Sequence, residues 1–398
     1  MNRADLLNAM NLYHRYSLMP YELLFYCALI LNISYSIFYP VYSALHDNFS
    51  HIIILFTILI FLSIQRWKYK GIQVVKVVMF ILLCLITILV NHSGIGVLIY
   101  IIWPLCIIYM FKRCNLTNKY IDRINFIMAA GWVLSIIGSS QYTDAYFASF
   151  DNGTAVVGIN PNTMAVVIAV TCLFLGAYID YKIKSRLLKI VIYAVSLIAL
   201  YQTRARASLV AVSIIFLLEF LFTRKLVRSR RMALFIASFV IIAGIIFPFV
   251  YVELFSNDII TYETQFLGKR VFTGRQYIWL NLWNYLYSNP DAYIWGVGYN
   301  TDLYSKGTFN MHNAFLMIFA QFGTIILAIY ILYLIHFIKD MYGKSGHISN
   351  FQFKCYLIIL YVMIVGFGET TLSYLPNLIF IATAIGIGCR EKIGGRLK

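Results

Sequence analysis

Long apolar runs, each closed by a short polar break, dominate the chain. Hydrophobic stretches of about 15–25 residues recur near 20–42, 50–65, 73–91, 94–111, 123–140, 155–179, 187–202, 208–223, 232–252, 311–338, 353–372 and 375–389. An α-helix rises about 1.5 Å per residue, so some 20 such residues cross the hydrocarbon core of a bilayer. The pattern predicts twelve membrane-spanning helices. The tenth run is long enough to tilt or to extend past the bilayer. Only one break is long, residues 253–310, and it is not uniformly polar. Its RQYIWLNLWNYLY stretch puts apolar residues at helical spacing, with aromatics suited to a membrane interface. The expected architecture is an all-α polytopic membrane protein, a single integral domain over 1–398 with a long, partly helical outer loop at 253–310.

Composition removes the soluble alternatives. Of the 398 residues, 61% are hydrophobic and 12% charged, where soluble domains run at about half apolar and a quarter charged. That leaves too little polar surface to coat a water-facing globule. The seven cysteines (Cys27, Cys84, Cys106, Cys114, Cys172, Cys355 and Cys389) form no CxxC pair and lie mostly in apolar runs. An odd, scattered set reads as small core hydrophobes, not as a disulfide framework or metal site. A polar start and a first apolar run too long for a signal core argue against a cleavable leader.

Thirty-two Lys and Arg face sixteen Asp and Glu, a net charge of +16. In a membrane protein such an excess first reports orientation, because cytoplasmic segments collect Lys and Arg. With the N-terminus inside, the inner segments hold Arg3 and Arg15; Arg66, Lys68, Lys70 and Lys76; Lys112, Arg113, Lys119 and Arg123. They also hold Lys182, Lys184, Arg186 and Lys189; five basic residues over 224–231; Lys339, Lys344 and Lys354; and four beyond 389. This accounts for 26 of the 32 and predicts an N-in/C-in topology. Six basic residues stay outside: Arg204, Arg206, Lys269, Arg270, Arg275 and Lys306. Nine acids on the same side leave that surface at −3. An anion site there has to be a local arginine cluster, and a general positive field for nucleic acid is excluded.

Arg204 and Arg206 fall in the short outer turn YQTRARAS, and Arg270 and Arg275 in the long loop. A guanidinium presents a fixed fork of donors matched to phosphate or pyrophosphate oxygens. The bland alternatives are snorkelling to lipid phosphates or pairing with Glu253, Asp258 or Glu263. His312 opens the tenth run in NMHNAFL, and a neutral imidazole beside a pyrophosphate cluster can take a proton from a sugar hydroxyl. In GINPNTMA, Asn160 and Asn162 flank Pro161, a helix-initiating pattern that also offers amides to a sugar or phosphate. Glu369, in GFGETT, is an acid at the outer end of a span, where ionisable groups are rare. The sequence has no Walker A string, no GxGxxG after a strand, no HExxH and no DxD. Its inner loops are too short for a nucleotide-binding domain, so the chemistry is expected to use a donor already in the membrane, without ATP, metal or other cofactor.

Taken in order, GINPNTMA, TRARAS, GRQYIW, NPDAYIWGVGYN and HNAFL with Gly323 eleven residues after His312 resemble the O-antigen ligase/O-antigen polymerase superfamily of bacterial envelope glycosyltransferases. The resemblance covers about residues 155–325. It implies a metal-independent, inverting enzyme of the bacterial inner membrane whose donor is an undecaprenyl-pyrophosphate-linked glycan. The acceptor would be a growing polysaccharide or lipid A-core; a chain-length regulator and a flippase are the protein partners such a system allows. Carried onto this chain, Arg204 (with Arg206 as the alternative) and Arg275 would bind the pyrophosphate, and His312 would be the base. Arg206, Arg270, Asn160, Asn162, Asn313 and Glu369 are the expected substrate-binding residues. The ligase pattern, His312-Asn313 followed by Gly323 and Thr324, is incomplete at Ile326, and the Arg-x10-Gly repeats of some polymerases are missing. Within the resemblance, the more divergent and often Tyr-, Phe- and Ile-rich group is the polymerases, which implies a polymerase of O-antigen or capsule-type repeat units, with the ligase as the alternative and a polysaccharide or lipid-linked sugar transporter as the non-enzymatic one. Glu219 is the one acid well inside a run, which weighs against the transporter.

Overall fold

The computed structural model describes residues 20–37, 48–63, 71–113, 118–140, 161–221, 229–257, 264–266, 269–270, 274–298, 310–342, 348–372 and 374–389. Among these, each of the twelve apolar runs carries a helix: α1 (Pro20–Ile37), α2 (Phe49–Ser63), α3 (Gly71–Val90), α4 (Ile99–Arg113), α5 (Asn118–Ser140), α6 (Pro161–Tyr178), α7 (Arg186–Gln202), α8 (Arg206–Leu221), α9 (Arg230–Ser256), α12 (Ala314–Met341), α13 (Asn350–Val365) and α14 (Leu375–Gly388). The long loop contributes α10 (Arg275–Ser288), where the aromatic stretch predicts a helix, the short α11 (Ala292–Trp295), and a pair of two-residue strands, β1 (Gln265–Phe266) and β2 (Lys269–Arg270). Five of the described helices, α1, α5, α6 with its extension to Ile183, α9 and α12, are long and apolar enough to cross a membrane.

Local chemistry sets the helix ends. Ser185, Ser229 and Asn313 each accept a hydrogen bond from the backbone N–H three residues on, and Ser349 with Gln352 forms a reciprocal capping box. Helices α6, α13 and α14 are buried almost all round and form the centre of the bundle. Around them, α14 packs on α4, α6 on α5 and α7, and α13 on α6, α8 and α14. The outer helices turn large apolar side chains outward, such as Leu89, Phe235, Phe239 and Ile242. A surface of this kind suits lipid and not water. With five helices long and apolar enough to cross a bilayer, the chain is a multi-pass membrane protein.

Two features depart from the sequence expectations. The tenth run, expected as one long helix from residue 311, starts as a helix at Ala314 and is broken at Gly323 (φ 77°, ψ −177°). His312 therefore lies before the helix cap and not in its first turn. Second, Lys189 and Lys354, expected among loop charges that set orientation, are buried inside α7 and α13. They join Asp180 and Glu219 in a closed ring. Lys189 lies 2.9 Å from Asp180 and 2.8 Å from Glu219; Lys354 lies 3.1 Å from Asp180 and also contacts Glu219. The Tyr193 hydroxyl donates to Glu219 at 2.8 Å. Of the described cysteines, Cys84, Cys106, Cys172 and Cys355 are buried thiols, and Cys27 is exposed.

Candidate functional site

Three separate stretches of chain converge at the end of the bundle away from this ring. The first is the turn between α7 and α8. Thr203, fully buried, donates its hydroxyl to Leu200 O at 2.8 Å and accepts from Ala205 N at 3.3 Å. Ala205 is buried as well, so the turn has almost no freedom. Arg204 holds a left-handed backbone (φ 52°), which throws its side chain outward while Arg206 begins α8. The second stretch is the start of α10, where Gly274, also left-handed (φ 88°), admits Arg275 as the first helical residue. The third is the bend after α13, Gly366–Thr371.

Arg275 and that bend are fastened together. Its Nη2 donates to Glu369 Oε1 at 2.7 Å, and Asn162 Nδ2, from the first turn of α6, donates to the same oxygen at 2.8 Å. A Cβ at Gly368 would lie 3.1 Å from Arg275 Nη1, so the GFGETT string leaves the guanidinium its berth. Arg204, Arg206, Arg275, His312, Asn162 and Glu369, with Ala207 and Ile278, line one cavity of about 280 Å³. Three arginines against one carboxylate leave it two positive charges, on a surface whose sequence predicts net negative charge.

His312 is set by its neighbours on both sides. Its backbone N–H donates to Asn310 Oδ1 at 2.8 Å, and it takes a left-handed conformation (φ 49°) that L-residues rarely adopt without being held. On the preceding residue, Met311 O accepts from Trp279 Nε1 at 2.6 Å. On the following side, Asn313 caps α12 through Leu316 N at 2.8 Å and donates to Gly244 O and Phe367 O at 3.0 and 3.1 Å. Ala314 N then donates to Gly366 O at 2.7 Å. The Nδ1 atom of His312 is buried with no hydrogen-bond partner among the described residues. Burial, and secondly the charge of Arg275, push its pKa down to about 4. The imidazole is therefore neutral at pH 7, with a nitrogen available to take a proton.

Of the residues expected from sequence, Arg204, Arg206, Arg275, His312, Asn162 and Glu369 meet in the cavity. Asn313 does not line it: its side chain is spent on the cap and on two carbonyls, so it holds His312 in place instead of meeting substrate. Arg270 lies in β2, its backbone paired with Gln265; its side chain, and Asn160 altogether, lie outside the described residues. Sequence reasoning missed the fastening of the loop to α12. The break at Gly323 turns the Ala320 carbonyl to the loop, where it accepts from Val297 N (2.7 Å) and Gly298 N (3.1 Å). Thr324 donates to Tyr293 O at 2.7 Å, and Asn91 Nδ2 donates to Trp295 O and Gln321 O. Gly296 approaches the Gly323 backbone too closely for a side chain on either residue. The signal was present in the glycines of WGVGYN and FGT, which positive φ and a close backbone crossing both require.

Among the described residues no three His, Cys, Asp or Glu come together as a metal-binding group. Residues 191–331 match the family model described as O-antigen ligase. No curated protein matches the chain, and neither does any solved structure. The matched segment, about a third of the chain, runs from α7 into α12 and carries Arg204, Arg206, Arg275 and His312, whereas Asn162 and Glu369 lie outside it. The segment that carries the cavity's arginines and histidine is thus similar to the O-antigen ligase family.

Proposed function

We propose that the protein is a glycosyltransferase that takes a glycan from a polyprenyl-pyrophosphate carrier at the outer face of the bacterial inner membrane and joins it to a second carrier-linked glycan, as a polysaccharide polymerase. The observation that carries this reading is the cavity itself, in which three arginines and one neutral histidine face a common space. A sugar pyrophosphate ester of a polyprenol carries two negative charges, and the cavity's excess is two positive. Arg204, Arg206 and Arg275 would hold the pyrophosphate and stabilise the charge that grows on it as the bond to the sugar breaks. The acceptor hydroxyl attacks the anomeric carbon, its proton passes to His312, and polyprenyl pyrophosphate departs with the bonding pair. Attack opposite the leaving group inverts the anomeric centre. Glu369 and Asn162 fix the guanidinium of Arg275 for this task. The orientation is N-in/C-in with twelve spans, which puts the cavity outside, and no metal or cofactor takes part.

The ligase reading, transfer to lipid A-core, is second and rests on the description of the matched family. A deletion strain separates the two. Loss of a polymerase leaves lipid A-core bearing a single repeat unit; loss of a ligase leaves bare core and polymer retained on its carrier. In either case, His312→Ala and Arg204→Ala should each abolish transfer at an unchanged level of protein in the membrane. Full activity in both variants would overturn the site.

A further inference from the structure

The ring of Asp180, Lys189, Glu219 and Lys354 plays no part in the chemistry proposed above, yet it concerns the same helices. Lys354, Glu219 and Lys189 have side chains only 4, 5 and 7% exposed, and Asp180 20%. Each lysine meets both acids, so the ring is closed and its net charge is zero. Its members come from four elements: the π-turn Ile179–Ile183 that ends α6, then α7, α8 and α13. The opposite ends of these helices carry Asn162 (α6), the Arg204–Arg206 turn (α7 and α8) and Glu369 (just past α13). At 1.5 Å per residue the thirteen steps from Glu219 to Arg206 span about 20 Å.

The local structure is built to close the ring. The π-turn, a rare element that re-aims side chains, carries Asp180 inward, and Lys184 in a left-handed conformation ends it. Gly176 leaves the room that the Tyr193 ring occupies on its way to Glu219; a Cβ there would lie 2.9 Å from Tyr193 Cε1. Charges inside an apolar bundle are tolerated only when paired, so sliding or rotating any one of the four helices would strip a charge of its partner. An apolar contact tolerates such a slide far better.

We propose that this ion ring is a positioning device for the outer cavity: it locks α6, α7, α8 and α13 in register at one end so that Asn162, Arg204, Arg206 and the Glu369–Arg275 pair meet at the other. Asp180, Lys189, Glu219 and Lys354 are positioning residues and touch no substrate. The proposal rests on the cavity as the reaction site, and its test has one readout that does not.

The full-length protein in lipid nanodiscs, with genetically encoded spin-labelled residues at the exposed Tyr201 and Tyr277, reports the distance between the ends of α7 and α10 by electron resonance. Binding of inorganic pyrophosphate, with Arg275→Ala as the control, reports the cavity. Glu219→Gln and Lys354→Met should each broaden the distance distribution and weaken pyrophosphate by about 10-fold. The double variant, which removes one charge of each sign, should recover most of both. Tyr193→Phe keeps every charge and removes one hydrogen bond; it supplies a smaller broadening should either single variant fail to fold. Unbroadened distances in Tyr193→Phe and in the folded single variants would overturn the ring proposal whatever pyrophosphate does. Broadening in a protein that never binds pyrophosphate would instead overturn the reading of the cavity and leave the register lock standing.

Discussion

The two clusters of charge in this molecule are built from nearly the same helices and differ in almost everything else. The cavity at one end holds three arginines and one carboxylate around about 280 Å³ of open space. The ring at the other holds two lysines and two acids, each cation touching both anions. Open and unbalanced charge calls for a ligand of opposite sign, whereas closed and balanced charge satisfies itself. Lysine, a compact point charge, suits the ring; arginine, with a planar fork of donors, suits oxygen-rich groups that come and go. Variants of the first cluster should lose activity at constant stability, and variants of the second should lose stability first.

The largest effect is expected at Arg275. Arg275→Ala should lower glycan transfer about 100- to 1000-fold, the range for removing one preorganised donor to a developing negative charge. Its thermal midpoint should stay unchanged, because Glu369 keeps Asn162. An equal loss of folded protein would make the pair with Glu369 a structural strut and erase the contrast between the clusters.

Next comes the ring. Lys354→Met leaves the buried Glu219 and the half-buried Asp180 sharing one lysine and should cost about 3–5 kcal/mol, read as loss of folded protein on heating. Adding Glu219→Gln restores neutrality and should return most of that stability. If the double variant is the sum of two penalties, shape and not charge balance is what the ring supplies.

How the two clusters stand in the sequence explains which was legible. Twelve helices could be placed from their apolar runs, because a bilayer demands about 20 apolar residues for each crossing. The cavity residues were legible because they break a rule: counting charges along the chain assigns Arg204, Arg206 and Arg275 to the side that orientation should leave poor in cations. The ring broke a rule only at Glu219, the one acid well inside an apolar run, and nothing along the chain named its partners. Lys189 and Lys354 sit near helix ends, where counting takes them for loop charges, and their partners Asp180 and Glu219 come from other helices. Pairing across four helices leaves no trace in spacing along one chain. Asn313 was misplaced for a related reason, since an amide next to a histidine looks the same whether it faces a sugar or caps a helix.

The pH dependence sharpens the comparison at the cavity. A base with the ordinary imidazole pKa of about 6.5 would be only about one-tenth unprotonated at pH 5.5. His312, held down to about 4 by burial and by Arg275, stays neutral there. The proton-free form is the active one, so kcat/KM for the donor should hold its value below pH 6 and fall only towards pH 4. The bound pyrophosphate offsets the arginine charge and raises the histidine's pKa, so the acid limb of kcat should lie at higher pH than that of kcat/KM. Coincident limbs at 6.5 would remove His312 from the role of base.

A smaller effect is expected where the loop crosses α12. Gly323→Ala puts a Cβ at a φ of 77° and about on top of Ile294 O, with Gly296 N at 2.7 Å. Left-handed strain alone costs about 1–3 kcal/mol. Proteolysis of the loop should quicken while the ring and its stability remain as they are.

The smallest expected change separates position from binding within the cavity. Trp279 is fully buried, its ring edge-on to Phe247 and Tyr251, and its Nε1 donates to Met311 O at 2.6 Å. Trp279→Phe keeps an aromatic ring among those neighbours and removes that hydrogen bond, at a cost of about 1 kcal/mol. Stability should scarcely move. Met311, however, precedes the strained His312, whose left-handed backbone persists only while its neighbours hold it. Arg204 and Arg206, which would hold the donor, lie on another segment, and Arg275, one turn before Trp279 on α10, keeps its bond to Glu369. The variant should therefore lower kcat a few-fold with the donor KM unchanged. A raised KM at constant kcat would mean that the Trp279 bond shapes the donor's berth, and His312 would then belong with the binding residues.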